Sequence, residues 1–405
     1  MNMVVKMFYS FLFLLIFSSC QSDKEEGVAT TTGNYEVTNY VELVKAIYNA
    51  KPGDNIILNG GTYIMSSRID IKISGTFDKP INLTFKDPNN RPKLDFSGRG
   101  EGSTNQGIVL LANYWHIKGI DIVKAGDNGM QVKGKNNIIQ FCTFSECADT
   151  GLQIDGGASN NTILNCDSYF NADSLIENAD GFACKLDAGT GNKFIGCRAW
   201  KNLDDGWDGY LKTSNNITTT YENCWAINNG YFKNGNLSGG DGNGFKTGGS
   251  DFKDLKHNAT YTRCIAAGNV SNGFDHNSNR GEVKIYNCSA YANGKNYSFS
   301  TTNPLAKLTI KNSNTLKINE LDIFGSANAD LVDVTNNSWQ NDIVVDATDF
   351  KSIDYLELLN PRKADGSLPD VNFFHLTATS KLIDKGISVG LPFNGLAPDL
   401  GAFEY

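Results

Sequence analysis

Asn178-Ala179-Asp180-Gly181-Phe182, Asp204-Asp205-Gly206-Trp207-Asp208 and Asn243-Gly244-Phe245-Lys246 repeat one small unit: a polar residue, a glycine, then a large apolar residue. The Gly-apolar pair recurs as Gly129-Met130, Gly151-Leu152 and Gly273-Phe274. A second series runs between these pairs. Six cysteines each follow an apolar or aromatic residue by three positions: Ile139/Cys142, Ile163/Cys166, Phe194/Cys197, Tyr221/Cys224, Tyr261/Cys264 and Ile285/Cys288. Successive cysteines are 24, 31, 27, 40 and 24 residues apart. Two interleaved ladders at such a period mark a solenoid, with the variable lengths taken up in loops. Side chains alternate along a strand, so the residues after each glycine face inward and the next ones outward. Met130, Leu152, Phe182, Trp207, Phe245 and Phe274 are then core, while Gln131, Gln153, Ala183, Asp208, Lys246 and Asp275 share one outer face. Cysteine at an inward rung reads as a small apolar residue, and stacked thiols pair only with strain, so free cysteines are expected. The fold expected is all-β: a right-handed parallel β-helix.

The ends fit that expectation. Leu43, Val44, Ile47 and Ala50 lie on one face of a helix predicted over residues 39–51, with Asn39 and Glu42 as a capping box and Pro52-Gly53-Asp54 as its stop. Such a helix covers the open apolar end of the first coil. Strands are predicted at Asn55–Leu58 and around Tyr63, and residues 382–403 are expected to close the other end. Residues 304–380 show no coil pattern. Ahead of the helix, Lys6 precedes an apolar run from Met7 to Phe17 and then Ser18-Ser19-Cys20. The run is short for a membrane span and ends in small residues, as an export signal does. Residues 1–20 are expected to be a signal peptide with Cys20 as a lipidated N-terminus, 21–33 a flexible tether, and 34–405 the β-helix. The small residues before Cys20 resemble a bacterial lipoprotein signal, and Ser22-Asp23-Lys24-Glu25-Glu26 resembles the surface-export signal of Bacteroidetes lipoproteins. A plain secretory peptide is the alternative.

A net charge of −8 and a pI of about 5.1 argue against nucleic acid as a partner. An acidic ligand needs local cations here. Asp180 and Asp205 both stand directly before a ladder glycine, 25 residues and one coil apart, with Asp204 and Asp208 alongside. Stacked strands lie about 4.8 Å apart and Ca–O bonds run about 2.3–2.6 Å, so one Ca²⁺ bridges carboxylates on adjacent coils. Positions on either side of Gly206 converge only if the chain bends there. Lys246 occupies the outer position of Asp208 one coil on. It is a candidate base, its pKa lowered by the ion and by burial; the plain alternative is a ladder salt bridge to Asp208. These residues together point to a calcium-dependent enzyme acting on an acidic polysaccharide.

The run Asn178-Ala179-Asp180-Gly181-Phe182-Ala183-Cys184-Lys185, followed by Gly196-Cys197-Arg198-Ala199-Trp200, Asp204-Asp205-Gly206-Trp207-Asp208 and Asn243-Gly244-Phe245-Lys246, resembles the polysaccharide lyases of family 9, which include pectate lyase L-like enzymes and rhamnogalacturonan lyases. The resemblance implies a β-helix, Ca²⁺ held by Asp180, Asp204, Asp205 and Asp208, and Lys246 as the base of a β-elimination on a galacturonate-containing pectic backbone. Lys185, Arg198, Lys212 and Arg280 are candidate partners for uronate carboxylates, and Trp225 for stacking on sugar. Asp275 and His276 read as turn residues, and the insertion at 224–244 as a loop walling the cleft. A monomer is expected. Two other functions fit the same carboxylates: an inverting hydrolase, although the Gly-His-Gly element of polygalacturonases is missing, and a surface lipoprotein that only binds glycan.

Overall fold

The computed structural model describes residues 33–176, 178–316, 321–323 and 331–405. The signal peptide, Cys20 and nearly all of the tether lie outside these residues. The coils supply strands to three parallel sheets, and each inner coil gives one strand to each. The first sheet opens with Asn34–Val37, Asn55–Leu58 and Ile81–Phe85, the second with Gly61–Ile64 and Pro92–Asp95, and the third with Ile69–Ile71 and Ile108–Leu110. The architecture is the expected parallel β-helix. Asn34–Val37 is a strand that the sequence pattern did not reveal.

The third sheet keeps the predicted register. Phe182 pairs with Trp207, Trp207 with Phe245, and Phe245 with Phe274. Their rings stack inside the coil with centroids 5.1, 4.8 and 5.0 Å apart. Offset stacks at this spacing add to the burial of large apolar surface. On the outer face Gln153, Ala183, Asp208, Lys246 and Asp275 follow one another rung by rung. All eight described cysteines are buried and free.

The ladder glycines are set by how closely the coils approach. A Cβ on Gly181 would meet the Gly206 carbonyl at 2.7 Å, and one on Gly206 would meet that of Gly244 at 2.6 Å. Beside them runs a buried asparagine ladder. Asn171, Asn202, Asn229, Asn269 and Asn293 each donate from Nδ2 to the Oδ1 of the next asparagine, ending on Asn296, at 2.8–2.9 Å. These amides satisfy one another along the turn between the second and third sheets. They therefore fix the backbone just ahead of Asp204 and Asp205.

The N-terminal helix spans Tyr40–Tyr48, and Leu43 and Ile47 are buried against the first coil. Asn39 caps the Glu42 amide as predicted, but the Glu42 carboxylate reaches Thr38 instead of closing a capping box. Lys307–Lys311 and Val332–Thr335 extend the first sheet and Leu321–Ile323 the third, which gives the described residues of 304–335 the coil assignment the sequence withheld. The C-terminal segment does more than close an end. Phe350, Leu358, Phe373, Phe374, Leu376, Leu382 and Leu400 pack with Trp225, Ile227, Ile265 and Ala267 on the outside of the second sheet.

Candidate active site

The turn from the second sheet into the third carries the acidic residues. Asparagine amides pin its start, and the ladder glycines press successive turns together, so carboxylates one coil apart come into contact. One oxygen from each of Asp180, Asp204 and Asp205 falls within 4.8 Å of the other two, and all three side chains are buried. Asp180 Oδ1 accepts the Asp205 amide at 3.2 Å, and its Oδ2 accepts Thr150 Oγ1 and Lys185 Nζ at 3.1 and 2.8 Å. Asp205 Oδ1 accepts both the backbone and the side-chain amide of Asn243.

The chain bends at Gly206, and the carboxylates of Asp205 and Asp208 both come within 4.0 Å of Lys246 Nζ. Asp208 stands next to the triad, tied to it through Lys185, whose ammonium is 2.8 Å from Asp180 and 3.4 Å from Asp208. Lys246 Nζ lies 3.1 Å from Asp205 Oδ2, 3.0 Å from Asp241 Oδ2 and 3.9 Å from Asp208 Oδ1. The amine predicted beside the carboxylates is there. Asp241 was missed: it sits in the insertion, whose two arms bridge at Tyr231 and Leu237 and whose Ser238 hydroxyl donates to the Leu203 carbonyl.

Burial pushes the Asp180 carboxyl up to about 8 and the Asp204 carboxyl to about 6, and it raises Asp205 well above its usual value. Burial also works to raise Asp208, but Lys246 and Lys185 hold it below the ordinary carboxylate range. Burial would lower Lys246, yet Asp205, Asp208, Asp204 and Asp241 around it hold the ammonium well above its usual value. That differs from the lowered pKa expected of a base, and the cause is the uncompensated carboxylates. Five carboxylates face two ammonium groups, which leaves three negative charges when all are ionised.

A hard divalent cation fits this donor set. The ligand atoms are all carboxylate oxygen, their spacing suits one ion shared between coils, and the excess charge is negative. One oxygen is also left over: Asp205 Oδ2 is buried without a hydrogen-bond partner, because Lys246 Nζ, though near, is out of line. A buried carboxylate oxygen in that state is costly unless a cation takes it.

A cleft of about 450 Å³ runs over these rungs, lined by Asp149, Gln153, Asp208, Tyr210, Lys212 and Lys246 among others. Lys212 is exposed on its wall and has no ion pair among the described residues. Lys185 also lines it, but Asp180 and Asp208 already engage its ammonium. Arg280 lies outside the cleft lining, on a turn whose backbone binds Leu255 and Ala306. Two expected substrate contacts are corrected. Arg198 is buried, grips Asp167 at 2.9 Å through two nitrogens and donates to the carbonyls of Leu358 and Asn360. Trp225 is 2% exposed beneath the C-terminal segment. Both point outward from the second sheet, as the alternation requires, but that face is covered. Asp275 is a strand residue in register with Lys246 and does not belong to a turn, and burial raises its carboxyl to about 6.

Comparison with known proteins agrees with this geometry. Residues 24–319 match the family described as Pel9A-like, right handed beta helix region. The chain belongs to the Pel9A-like β-helix family. It is 35% identical to pectate lyase L of Dickeya chrysanthemi over 96% of this chain and 94% of that protein. The crystal structure of pectate lyase Pel9A superposes with a TM-score of 0.81 at 34% identity, covering 93% of this chain and 97% of the other. A rhamnogalacturonan lyase superposes with a TM-score of 0.74 at 25% identity, covering 85% and 97%. As in the rest of the Pel9A-like family, the solenoid is right-handed, which completes the predicted fold class.

Proposed function

We propose that this chain is a calcium-dependent pectate lyase that cleaves a galacturonate-containing pectic backbone by β-elimination. One observation carries the reading: Lys246 Nζ sits within 3.1 Å of Asp205, a member of a buried triad of carboxylates drawn from adjacent coils. Asp180, Asp204 and Asp205 would hold the ion, with Asp208 completing the acidic shell. Bound there, Ca²⁺ supplies positive charge that binds the uronate carboxylate and stabilises the charge developing at C5.

The chain's own residues do the rest. A cation engaging Asp205, Asp208 and Asp204 would weaken their hold on the Lys246 ammonium, and burial favours the neutral amine. Neutral Lys246 takes the C5 proton. The electron pair of the broken C5–H bond forms the C4–C5 double bond, the C4–O bond breaks, and the leaving oxygen collects a proton from solvent. No water adds across the cleaved bond, unlike hydrolysis. Lys212, exposed on the cleft wall, would meet a further uronate carboxylate. The protein is overall acidic, so such cations are what let it hold a polyanion.

The test is ultraviolet absorbance of unsaturated product from polygalacturonate and, separately, from rhamnogalacturonan I, with and without chelator. Wild type is expected to act on polygalacturonate only when calcium is present. Lys246→Ala is expected to lose about 10²–10⁴-fold in kcat. Retained turnover in Lys246→Ala removes the base, saturated products indicate a hydrolase, and faster turnover of rhamnogalacturonan I reassigns the substrate. Binding of oligogalacturonate with no turnover in calcium supports the glycan-binding alternative.

We also read residues 1–20 as an export signal, from Lys6, the apolar run Met7–Phe17 and the small residues before Cys20. Exposure of the mature protein at a cell surface through a lipid on Cys20 suits an enzyme whose substrate is too large to import. Mass spectrometry of the mature N-terminus tests it: a diacylglyceryl-modified Cys20 is expected, and an unmodified, later N-terminus overturns it.

A further inference from the structure

Among the described residues, Lys246 Nζ has three carboxylate neighbours within 4.0 Å, and two of them, Asp205 and Asp208, belong to the acidic shell around the candidate ion. Asp241 is the third, and it stands outside that shell. Its side chain is 63% exposed, whereas that of Asp205 is fully buried. We propose that Asp241 is a positioning residue: it fixes the Lys246 amine over the reacting carbon when the other carboxylates are engaged by the cation. The proposal rests on the reading of Lys246 as the base.

The backbone around Asp241 is built to do this. Its amide donates to Asp204 Oδ1 at 2.5 Å, and its carbonyl accepts the Ser271 hydroxyl at 2.5 Å. Gly242, at φ +71, lets the chain turn tightly against Gly230 and Val270. The carboxylate is thus presented from a fixed point, and its Oδ2 accepts Lys246 Nζ at 3.0 Å. A lysine amine ends four rotatable bonds and needs such an anchor. With Asp205 and Asp208 turned to a cation, nothing else among the neighbours named above retains it. The Asp241 amide on Asp204 also ties the loop to the metal-binding turn.

The experiment compares Asp241→Ala, Asp241→Asn and Lys246→Ala with wild type on polygalacturonate, and measures calcium affinity of each by calorimetry without substrate. Asparagine keeps an oxygen where Lys246 donates. Asp241→Ala is expected to lower kcat about 10- to 100-fold with KM within about twofold, since misplacing a reacting group by an ångström costs on that order. Asp241→Asn is expected to recover most of the loss, and the calcium Kd of both is expected to stay within about twofold of wild type. A kcat for Asp241→Ala equal to wild type overturns the proposal. So does a calcium Kd that weakens as much as kcat falls, because the loss then runs through the metal. If Lys246→Ala keeps its turnover, the reading of the base has failed instead, and the two failures are told apart in one set of assays.

Discussion

Gly206 lies between Asp205 and Trp207, and a Cβ there would come within 2.6 Å of the Gly244 carbonyl and 2.8 Å of Asn229 Nδ2. Glycine is required by the closeness of the neighbouring coil, and both contacts are with groups that cannot swing away. Gly206→Ala must push adjacent coils away from each other at the point where Asp205 and Asp208 converge. The expected cost is about 1–3 kcal/mol in urea unfolding, with a weaker calcium Kd by calorimetry. Equal stability would mean that the coils have slack at this rung. Arg198 gives the opposite pairing of effects. It shares Asp167 with Arg362 of the C-terminal segment, so Arg198→Ala leaves a half-buried carboxylate with half its partners. A loss of about 3 kcal/mol is expected, while kcat and KM of the folded variant stay at wild-type values. A raised KM without loss of stability would return Arg198 to the substrate.

At the scale of the element, the asparagine ladder decides how firmly the acidic turn is held. Asn229 Nδ2 donates to Asn269 Oδ1 and to the Ala199 carbonyl, and its Oδ1 accepts from the Asn202 backbone and side-chain amides. Asn229→Ala leaves the buried Asn202 and Asn269 short of partners, for an expected loss of about 2–4 kcal/mol by urea unfolding. That ladder was open to reading: Asn171, Asn202, Asn229, Asn269 and Asn293 each stand five residues after a ladder cysteine. The third sheet was legible because its glycines and aromatics recur in strict register, and Lys246 and the aspartates were found through that register. Asp241 was not, because an insertion follows no rung; its path is set by contacts such as Ser238 on Leu203, which no local pattern encodes. Arg198 and Trp225 were misplaced for a related reason. Alternation says that a side chain leaves the coil, but a covering segment more than a hundred residues away decides whether it meets solvent.

For the molecule as a whole, the acidic cluster makes stability depend on pH and calcium together. Asp180 has a folded pKa of about 8 against 3.8 for the free side chain. Without a cation the folded chain therefore keeps a proton that the unfolded chain has lost, so stability is greatest below the lower value and falls as pH rises through the higher one. His116, His257, His276 and His375 act the other way, since burial lowers each below 6.5, and their contribution grows as pH rises to that value. At 6.5 the unfolded histidines are still half-protonated, so over the next pH unit they go on adding a rise that opposes the fall from the carboxylates. Lys185 and Lys246, both held above 10.5, do not titrate there. The carboxylate is therefore read as the difference between wild type and Asp180→Asn, which carry the same histidines. In chelator, the stability of wild type relative to that variant is expected to fall by about 1.5 kcal/mol from pH 6.5 to 8, most of one proton's worth over that interval. Calcium binds the deprotonated carboxylates, so in its presence the fall should vanish and the affinity should rise with pH over the same range. Asp180→Asn removes the titrating group and keeps the histidine contribution, so in chelator its stability should rise with pH relative to wild type. Urea unfolding of both proteins at pH 6.5, 7.25 and 8 in calcium and in chelator measures this; parallel profiles in chelator would mean that Asp180 is already ionised in the metal-free fold.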